Sequence, residues 1–433
     1  KSVIWLFMIG GASHLESFDP KPALNKYAGM TIDESPYGPA VLESPFYRSN
    51  VRDFGGRPRA LMAQIYPLQI GYRRRGESGI EVSDWWPHVG GCIDDMAVVR
   101  SMWTTDNDHA AENQIHTGRH RLDETQPSIG SWAHYGLGTL NENLPKFVVL
   151  GGPTRSTTQE SIDSYYLGPE HAGVPLTLDV NNPLPFGRRV AGQSAEQQRN
   201  EFALVKRLNE LAAVEYPEDQ ALRARIRAYE LAFRMQAAVP EAIDFARETE
   251  ATRQLYGLDN DATRLAGQRL LAARRLVERG VRFVQVFPSA YGVWDSHRKL
   301  KENHTKLCAS HDLPVAGLIR DLKQRGLLDE VTVVFCTEFG RTPGKEERNG
   351  GTDGRDHHPN GFTIWLAGAG VKKGFVHGET DELGYHALGE GHYVTDLHAT
   401  VLHLLGLDNR RLTYPGRRRL EIDYGRVMSE ILM

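Results

Sequence analysis

The sequence predicts an α/β fold in which a mostly parallel central sheet lies between layers of helices. Apolar runs typical of strands alternate along the chain with helical patterns. Several of these runs are continuously apolar, which is typical of strands covered on both faces. The length of 433 residues fits one large α/β domain with insertions.

Six apolar runs are predicted to be strands. They cover residues 3–9, 97–103, 147–150, 282–287, 331–336 and 362–368. Helices are predicted at 128–140, 262–279, 313–325 and 395–405. Because ligands gather outside the carboxyl ends of parallel strands, we expect a functional site in the loops that follow these strands.

We expect residues 1–433 to form a single domain, because no low-complexity segment divides the chain. Two segments, at about 20–90 and 152–194, are rich in Pro, Gly, Ser and Tyr. They are interpreted as loop-rich insertions that cover the site. Residues of about 195–280 are predicted to be consecutive charged amphipathic helices. This helical excursion covers the sheet or offers a contact surface to another subunit.

The composition narrows the class of protein. With 40% hydrophobic and 24% charged residues, the chain is that of an ordinary globular protein. Its net charge of −4 gives no reason to expect a nucleic-acid partner. No apolar run reaches about 18 residues, so no transmembrane segment is expected. The opening run, 3–9, is interpreted as a core strand, and any export signal would lie upstream of this sequence.

Side chains that bind metals follow the predicted strands at several points. They are Glu16 and Asp19 after the first strand, His109 after 97–103, Asp295 and His297 after 282–287, Glu338 after 331–336, and His357 before 362–368. Alone, Glu338 fits either a metal ligand or a partner of Arg341. Carboxylates with imidazoles suit zinc or manganese, and more oxygen ligands suit calcium or magnesium. Their convergence predicts a divalent metal, with zinc favoured.

Two further groups are candidates for contacts to an anion. His109, Asn113 and His116 are spaced i, i+4 and i+7, which places them on one face of a predicted helix. The start of a helix behind a strand favours an anion, because its free N–H groups point outward. Arg341 adds a planar guanidinium suited to phosphate, sulfate or carboxylate.

Several motifs together resemble a known family. "GGASHLESFDPKP", "DHAAENQIHTG", "WDSH", "TEFGRTP", "GRDHHPNGF" and "YVTDLHATVLHLLGLD" resemble the bacterial domain-of-unknown-function family 1501, which is abundant in planctomycetes. That family is assigned to the alkaline phosphatase–sulfatase superfamily. The resemblance covers nearly the whole chain. It implies an alkaline-phosphatase-like three-layer α/β/α sandwich with a helical insertion, and a periplasmic or extracytoplasmic location.

The resemblance also implies roles for individual residues. The implied metal ligands are Glu16 (with Asp19 as its rival), Asp295, His297, Glu338 and His357. Phe339 stands where the superfamily usually has a second His, so one of two metal positions is expected to be weakened or lost. The usual Ser or Thr nucleophile is missing, which leaves Asp108, His109 or a metal-activated water as the nucleophile.

The implied function is a metal-dependent hydrolase of phosphate or sulfate esters, acting on a small anionic ester or on a sulfated or phosphorylated glycan. His109 is the expected nucleophile or general base, and Asn113 and Arg341 are expected to stabilise the oxyanion. Cys92 is followed by "IDDM", which lacks the C-x-P-x-R pattern of formylglycine sulfatases, so that class is not expected.

Two alternatives stay open at this point. The chain fits a non-catalytic binding or assembly subunit with a degenerate metal site, which would form a homo-oligomer or hold a partner through 195–280. It also fits a metal-dependent enzyme that processes carbohydrate carboxylates at the same site.

Overall fold

A computed structural model describes residues 1–46, 63–120, 122–152, 160–179, 192–216, 220–346 and 353–433. Its strands are β1 Ser2–Phe7, β2 Tyr72–Arg75, β3 Ile80–Ser83, β4 Met96–Trp103, β5 Phe147–Leu150, β6 Val174–Leu176, β7 Phe283–Val286, β8 Val331–Cys336, β9 Gly340–Arg341, β10 His357–His358, β11 Phe362–Gly368, β12 Phe375–His377 and β13 His392–Tyr393. Its α-helices are α1 Pro22–Lys26, α2 Gly38–Glu43, α3 Pro87–Gly90, α4 Ala111–Thr117, α5 Ile129–Leu137, α6 Ala195–Glu215, α7 Gln220–Ile243, α8 Glu250–Leu255, α9 Asp261–Glu278, α10 Leu300–Gln324 and α11 Val394–Leu404.

The central sheet confirms the predicted fold class. Nine strands pair in the order β12-β4-β11-β8-β1-β7-β5-β6, and β13 also pairs with β4. All neighbours are parallel except β11, which runs antiparallel to both β4 and β8. The six predicted strands all belong to this sheet, within a few residues of their predicted bounds.

Both faces of the sheet are buried, as the continuously apolar strands predict. In β1, Ile4 and Leu6 belong to one hydrophobic core, while Val3 and Trp5 belong to the other. The first core includes residues of α9 and α10, and the second includes residues of α5 and α11. Because successive side chains of a strand point to opposite faces, this division places the sheet between two layers of helices.

One helix is longer than the sequence indicated. The prediction began it at residue 313, one residue before Pro314, whereas α10 begins at Leu300 and continues through that proline. Proline removes one hydrogen bond within a helix and usually bends or ends it. Here α10 packs along α9 and its apolar face is buried, and this packing outweighs the local cost.

The helical excursion is helical as predicted, and it comprises α6, α7, α8 and α9. α9 belongs to the buried layer over the sheet, whereas α6 contacts α7 and leaves much of its surface exposed. Parts of the predicted loop-rich insertions, 47–62, 153–159 and 180–191, lie outside the described residues. Among the described helices, none is long and apolar enough to cross a membrane.

Candidate metal centre at the carboxyl ends of the strands

Three adjacent strands bring the candidate site together. β1 pairs with β7 on one side and β8 on the other, so Gly10, Asp295 and Glu338 follow strands that end at the same edge of the sheet. β9 follows Glu338 in the chain and pairs with β10, and this pairing places His357 opposite Arg341. Predicted ligands that lie far apart in the sequence therefore meet at the edge where ligands gather in parallel sheets.

Asp295, His297 and His357 form a compact group, which we call the ligand triad. His297 Nε2 and His357 Nε2 lie 3.0 Å apart, and each lies 3.1 Å from Oδ1 of Asp295. Ligand atoms of a tetrahedral zinc ion lie about 3.3 Å from one another, given zinc–nitrogen distances of about 2.0 Å. The triad therefore matches one face of such a coordination shell.

The outer nitrogens of both triad histidines have acceptors of their own. His297 Nδ1 lies 2.9 Å from Oε2 of Glu346, and His357 Nδ1 lies 2.7 Å from the carbonyl oxygen of Asn107. An Nδ1–H that donates to such an acceptor leaves a lone pair on Nε2. In that tautomer two nitrogen lone pairs and one carboxylate oxygen point at the same small volume, an arrangement that favours a cation, and Arg341 Nη2 lies 2.8 Å from that oxygen.

The pKa shifts of the triad follow from burial and from these close contacts. Burial raises the pKa of Asp295, but hydrogen bonds from the three neighbouring histidines and the charge of Arg341 hold it well below its usual range. Burial lowers the pKa of His357, whereas the hydrogen bond to Asp295 raises the pKa of His297. A metal at the triad would compete with protons for the imidazole nitrogens.

His109 forms a second arrangement, which we call the His109 bridge. Its Nδ1 lies 3.1 Å from Oε1 of Glu338, and its Nε2 lies 3.2 Å from Oδ2 of Asp295. Burial on its own lowers the pKa of His109, but the hydrogen bonds to the two carboxylates outweigh burial and raise that pKa to about 10. These contacts and the raised pKa favour the protonated ring, which donates to both carboxylates, and the expected role of His109 as nucleophile or base stays a prediction.

Two buried carboxylates complete the bridge. Glu338 is fully buried, and its Oε1 also accepts a 2.8 Å hydrogen bond from the backbone N–H of Gly10. Gly10 has φ of 119°, and a Cβ atom there would lie 2.6 Å from the backbone nitrogen of Asp295. Glu112, also fully buried, places Oε1 3.9 Å from Nδ1 of His109. His109, Glu112 and Glu338 thus form a second group of candidate ligands.

Asn113 does not join the site in the described structure. The sequence placed it on one helical face with His109, but α4 begins at Ala111 and His109 lies in the preceding turn. The turn brings Glu112 towards His109 instead, three residues along the chain. Asn113 Oδ1 is buried without a hydrogen-bond partner among the described residues, and its predicted contact to an oxyanion has no support there.

Arg341, the expected oxyanion ligand, has buried partners within the protein in this structure. It is fully buried, its Nη2 lies 2.8 Å from Oδ1 of Asp295, and its Nε lies 2.7 Å from the carbonyl oxygen of Gly11. Nη1 donates to the carbonyl oxygen of Arg355, and Nη2 also donates to that of Gly10. A guanidinium held in this way fixes Asp295, and its contact to an oxyanion stays a prediction.

Glu16 lies outside the candidate ligand groups found among the described residues. Its Oε1 lies 2.6 Å from Nη2 of Arg355, and both residues are fully buried. Burial raises the pKa of Glu16, but the ion pair with Arg355 outweighs it and lowers that pKa. The rival first-strand acid, Asp19, pairs with Lys21 at 3.0 Å. Both acids therefore form ion pairs with basic side chains of their own.

Phe339 packs beside the histidines of both arrangements, whose rings also contact each other, with the centroids of His109 and His357 4.7 Å apart. Its ring centroid lies 4.3 Å from that of His357 and 5.6 Å from that of His109, and the side chain is fully buried. It thus supplies an apolar wall to both imidazoles at the position where a further ligand was expected.

One side of the site is open. The side chains of Asp295, His109 and His297 are 25%, 20% and 22% exposed, whereas those of Arg341 and Glu338 are fully buried. Solvent and a small solute therefore reach the ligand atoms, whereas the groups that fix them are inaccessible.

Several residues of the site were not selected from the sequence. Glu112 carried a usable signal, because a carboxylate three residues after His109 is a common pairing distance. Asp356 belongs to a candidate group with His297 and His357 and stands next to a predicted ligand. Glu346 and the carbonyl of Asn107 lie in irregular segments, and no spacing in the sequence connects them to the triad.

The chain matches one protein family and is similar, at low identity, to several solved structures. A family model described as "Protein of unknown function (DUF1501)" matches residues 1–432. No curated protein matches the chain. Similar solved structures include the phosphonate monoester hydrolase SpPMH from Silicibacter pomeroyi, 11% identical, with a TM-score of 0.40 over 80% of this chain and 71% of that one. The TAB5 alkaline phosphatase is 9% identical, with a TM-score of 0.36 over 94% of this chain and 98% of that one.

Proposed function

The chain belongs to the DUF1501 family, and we propose that this member is a metal-dependent hydrolase of phosphate or sulfate esters. The proposal rests on one observation. Three possible ligand atoms of Asp295, His297 and His357 lie 3.0 to 3.1 Å from one another. The choice of ester follows the resemblance of the site motifs to the alkaline phosphatase–sulfatase superfamily. The same resemblance is our ground for proposing an extracytoplasmic location.

Asp295, His297 and His357 would hold the metal, and their one-carboxylate, two-imidazole set favours zinc, with manganese as the closest alternative. A bound divalent cation supplies Lewis-acid polarisation of an ester oxygen and lowers the pKa of water. Glu346 and the carbonyl of Asn107 hold the two imidazoles in the tautomer that presents Nε2. These contacts fix the ligands before any substrate arrives.

His109 would act as a proton donor. Its ring holds a proton on each nitrogen between Asp295 and Glu338, and part of its surface is exposed at the open side. A charged donor beside an anionic ester stabilises the negative charge that develops on the leaving oxygen. Arg341 would contribute by holding Asp295 in place, and Phe339 by giving the imidazoles of His109 and His357 an apolar neighbour.

Metal analysis and a substrate panel test the proposal. The protein as isolated is expected to contain a divalent metal, and activity on aryl phosphates or aryl sulfates should disappear with a chelator and return with zinc or manganese. Asp329→Asn, a change at an exposed carboxylate, is the matched control and should leave both unchanged. Metal-free protein that cannot be loaded, or activity indifferent to a chelator, would exclude the proposed chemistry.

The surface of α6 favours the second candidate function, an assembly subunit. Leu204, Leu208 and Leu211, spaced i, i+4 and i+7, are 61%, 56% and 53% exposed, and Val214 is 79% exposed. An exposed apolar stripe on one helix face is typical of a contact surface. Native mass determination would support this candidate if the chain co-purified with a stoichiometric partner, or as an oligomer that Leu208→Glu dissociates, while no substrate was turned over.

A further inference from the structure

A second cluster of metal-binding side chains lies at the edge of the sheet. β12 ends at His377 and β13 begins at His392, and both strands pair with β4. His377 lies opposite Val99 and His392 opposite Met102, so the two histidines flank a loop whose ends meet on one strand. The central site uses none of these residues.

The imidazoles face each other with their Nε2 atoms. These atoms lie 2.8 Å apart, and a carboxylate oxygen of Glu430 completes a group whose ligand atoms all lie within 4.8 Å of one another. Glu430 belongs to the C-terminal one-turn helix Ser429–Ile431, which contacts β12. Three separate segments therefore contribute one ligand atom each to the same point.

A buried carboxylate orients one of the two rings. His392 is 3% exposed, and its Nδ1 lies 3.0 Å from Oδ2 of Asp396, the first-turn acid of α11. The other carboxylate oxygen, Oδ1, accepts a 2.8 Å hydrogen bond from the backbone N–H of Arg426, which fixes its orientation. A carboxylate that accepts from Nδ1 leaves Nε2 of His392 as a lone-pair donor, as in carboxylate–histidine–metal arrangements.

The neighbouring cations are held by other groups. Lys372 donates its Nζ to the backbone carbonyl of Glu430 at 2.8 Å, and Arg426 donates Nη1 to Glu390 at 3.0 Å. These contacts of the two cations leave the carboxylate of Glu430 available to the histidines. Two imidazoles, one carboxylate and an open side are a ligand set that suits zinc and related transition metals.

We propose that His377, His392 and Glu430 form a second divalent transition-metal site, with a structural role. The metal joins the two ends of the loop 378–391 and ties the C-terminal turn to the edge of the sheet. It adds a cross-link between segments that are distant in the sequence, so it stabilises the folded chain by binding to it in preference to the unfolded chain.

The loop closed by this site supports the central one. The carbonyl oxygen of Gly384 lies 3.0 Å from Nε2 of His14, whose Nδ1 lies 3.5 Å from the backbone nitrogen of Arg341. Arg341 in turn holds Asp295. A metal at the edge of the sheet would therefore restrain the loop 378–391, which contacts Arg341 through His14. The metal itself would not contact a substrate.

The test measures binding of Co²⁺, whose visible absorption reports nitrogen and carboxylate ligands, to metal-stripped protein. His297→Asn serves as the background, since it disables the ligand triad and separates this proposal from the proposed function. In that background we expect one Co²⁺ per chain, with affinity reduced at least about 100-fold by His377→Asn and about tenfold by Glu430→Gln. His403→Asn, which removes an exposed histidine of α11, should change nothing.

Proteolysis supplies an independent readout. Zn²⁺ should slow cleavage within 378–391 in the His297→Asn protein and should have no such effect once His377→Asn is added. If a chain with the triad disabled folds poorly, the same comparison is made in the native background, where His377→Asn should lower the metal content by one ion. Unchanged Co²⁺ binding and unchanged protection in His377→Asn and Glu430→Gln would overturn the proposal.

Discussion

The ligand triad and the His109 bridge share Asp295 and differ in how the charge of its carboxylate is balanced. In the triad, Oδ1 faces two imidazole nitrogens whose outer nitrogens are already held by other acceptors. In the bridge, Oδ2 faces an imidazolium that also contacts Glu338. In our proposal one side of the same carboxylate receives a metal, and the other side faces the protonated ring of His109. The predictions below test this difference.

The largest effect is expected for Asp295→Asn, because this carboxylate belongs to both arrangements. The change removes the anionic ligand of the triad and the acceptor of His109, and we expect esterase activity to fall about 1,000-fold or more, which corresponds to about 4 kcal/mol of lost transition-state stabilisation. Metal content should fall with it. Steady-state kinetics and metal analysis of the purified variant measure both quantities.

The stability of this variant has to be measured as well, since Arg341 loses its charged partner. A thermal unfolding curve distinguishes loss of the site from loss of the fold. An Asp295→Asn protein that kept its metal and its activity would show that Asp295 is not a ligand.

His109→Gln is expected to have the next largest effect and to act on the other side of Asp295 only. Loss of the charged donor should lower kcat about 100-fold, within the range for general acids, while the metal content stays unchanged. Loss of one metal ion together with the imidazole would instead assign a metal to His109, Glu112 and Glu338.

Glu346→Gln should weaken the triad without removing a ligand. The amide oxygen still accepts from Nδ1 of His297 but carries no charge, so metal affinity should fall about tenfold to 100-fold. Competition with a coloured chelator measures this affinity. Glu330→Gln, at an exposed glutamate, is the control. Equal affinities in the two variants would show that the contact between Glu346 and His297 does not support the metal.

The smallest effect is expected in the pH dependence of stability of the metal-free protein. The pKa of His109 is raised from an ordinary 6.5 to about 10, so the stabilisation from its proton is complete below about pH 6.5 and is lost as pH rises through about 10. The free energy of unfolding of the native chain should therefore approach that of His109→Gln between pH 6.5 and 10. Urea unfolding in the presence of a chelator gives both values, and a constant difference would contradict the protonated bridge.

The central sheet was predictable because its strands are buried on both faces and carry a long apolar signal. β12 and β13 were not predicted, since each has only two or three residues, and their pairing with β4 depends on the tertiary structure. The length of α10 was also missed, because the local effect of Pro314 is outweighed by packing along α9.

Part of the site was predictable as well, because several of its residues lie next to the predicted strands. Asp295, His297, Glu338 and His357 follow or precede core strands, and the order of the strands brings them together. The sequence does not show that Glu16 pairs with Arg355, that α4 begins only after His109, or that Arg341 contacts Asp295. The roles of Glu112 and Glu346 depend on turns whose conformation the sequence does not specify.

The most direct test of the account is anomalous diffraction from crystals of the protein grown with zinc, measured at the zinc absorption edge. We predict a peak about 2.0–2.2 Å from Oδ1 of Asp295, Nε2 of His297 and Nε2 of His357, with the ring of His109 still between Asp295 and Glu338. Absence of a peak at the ligand triad, or a single peak among His109, Glu112 and Glu338 instead, would contradict it.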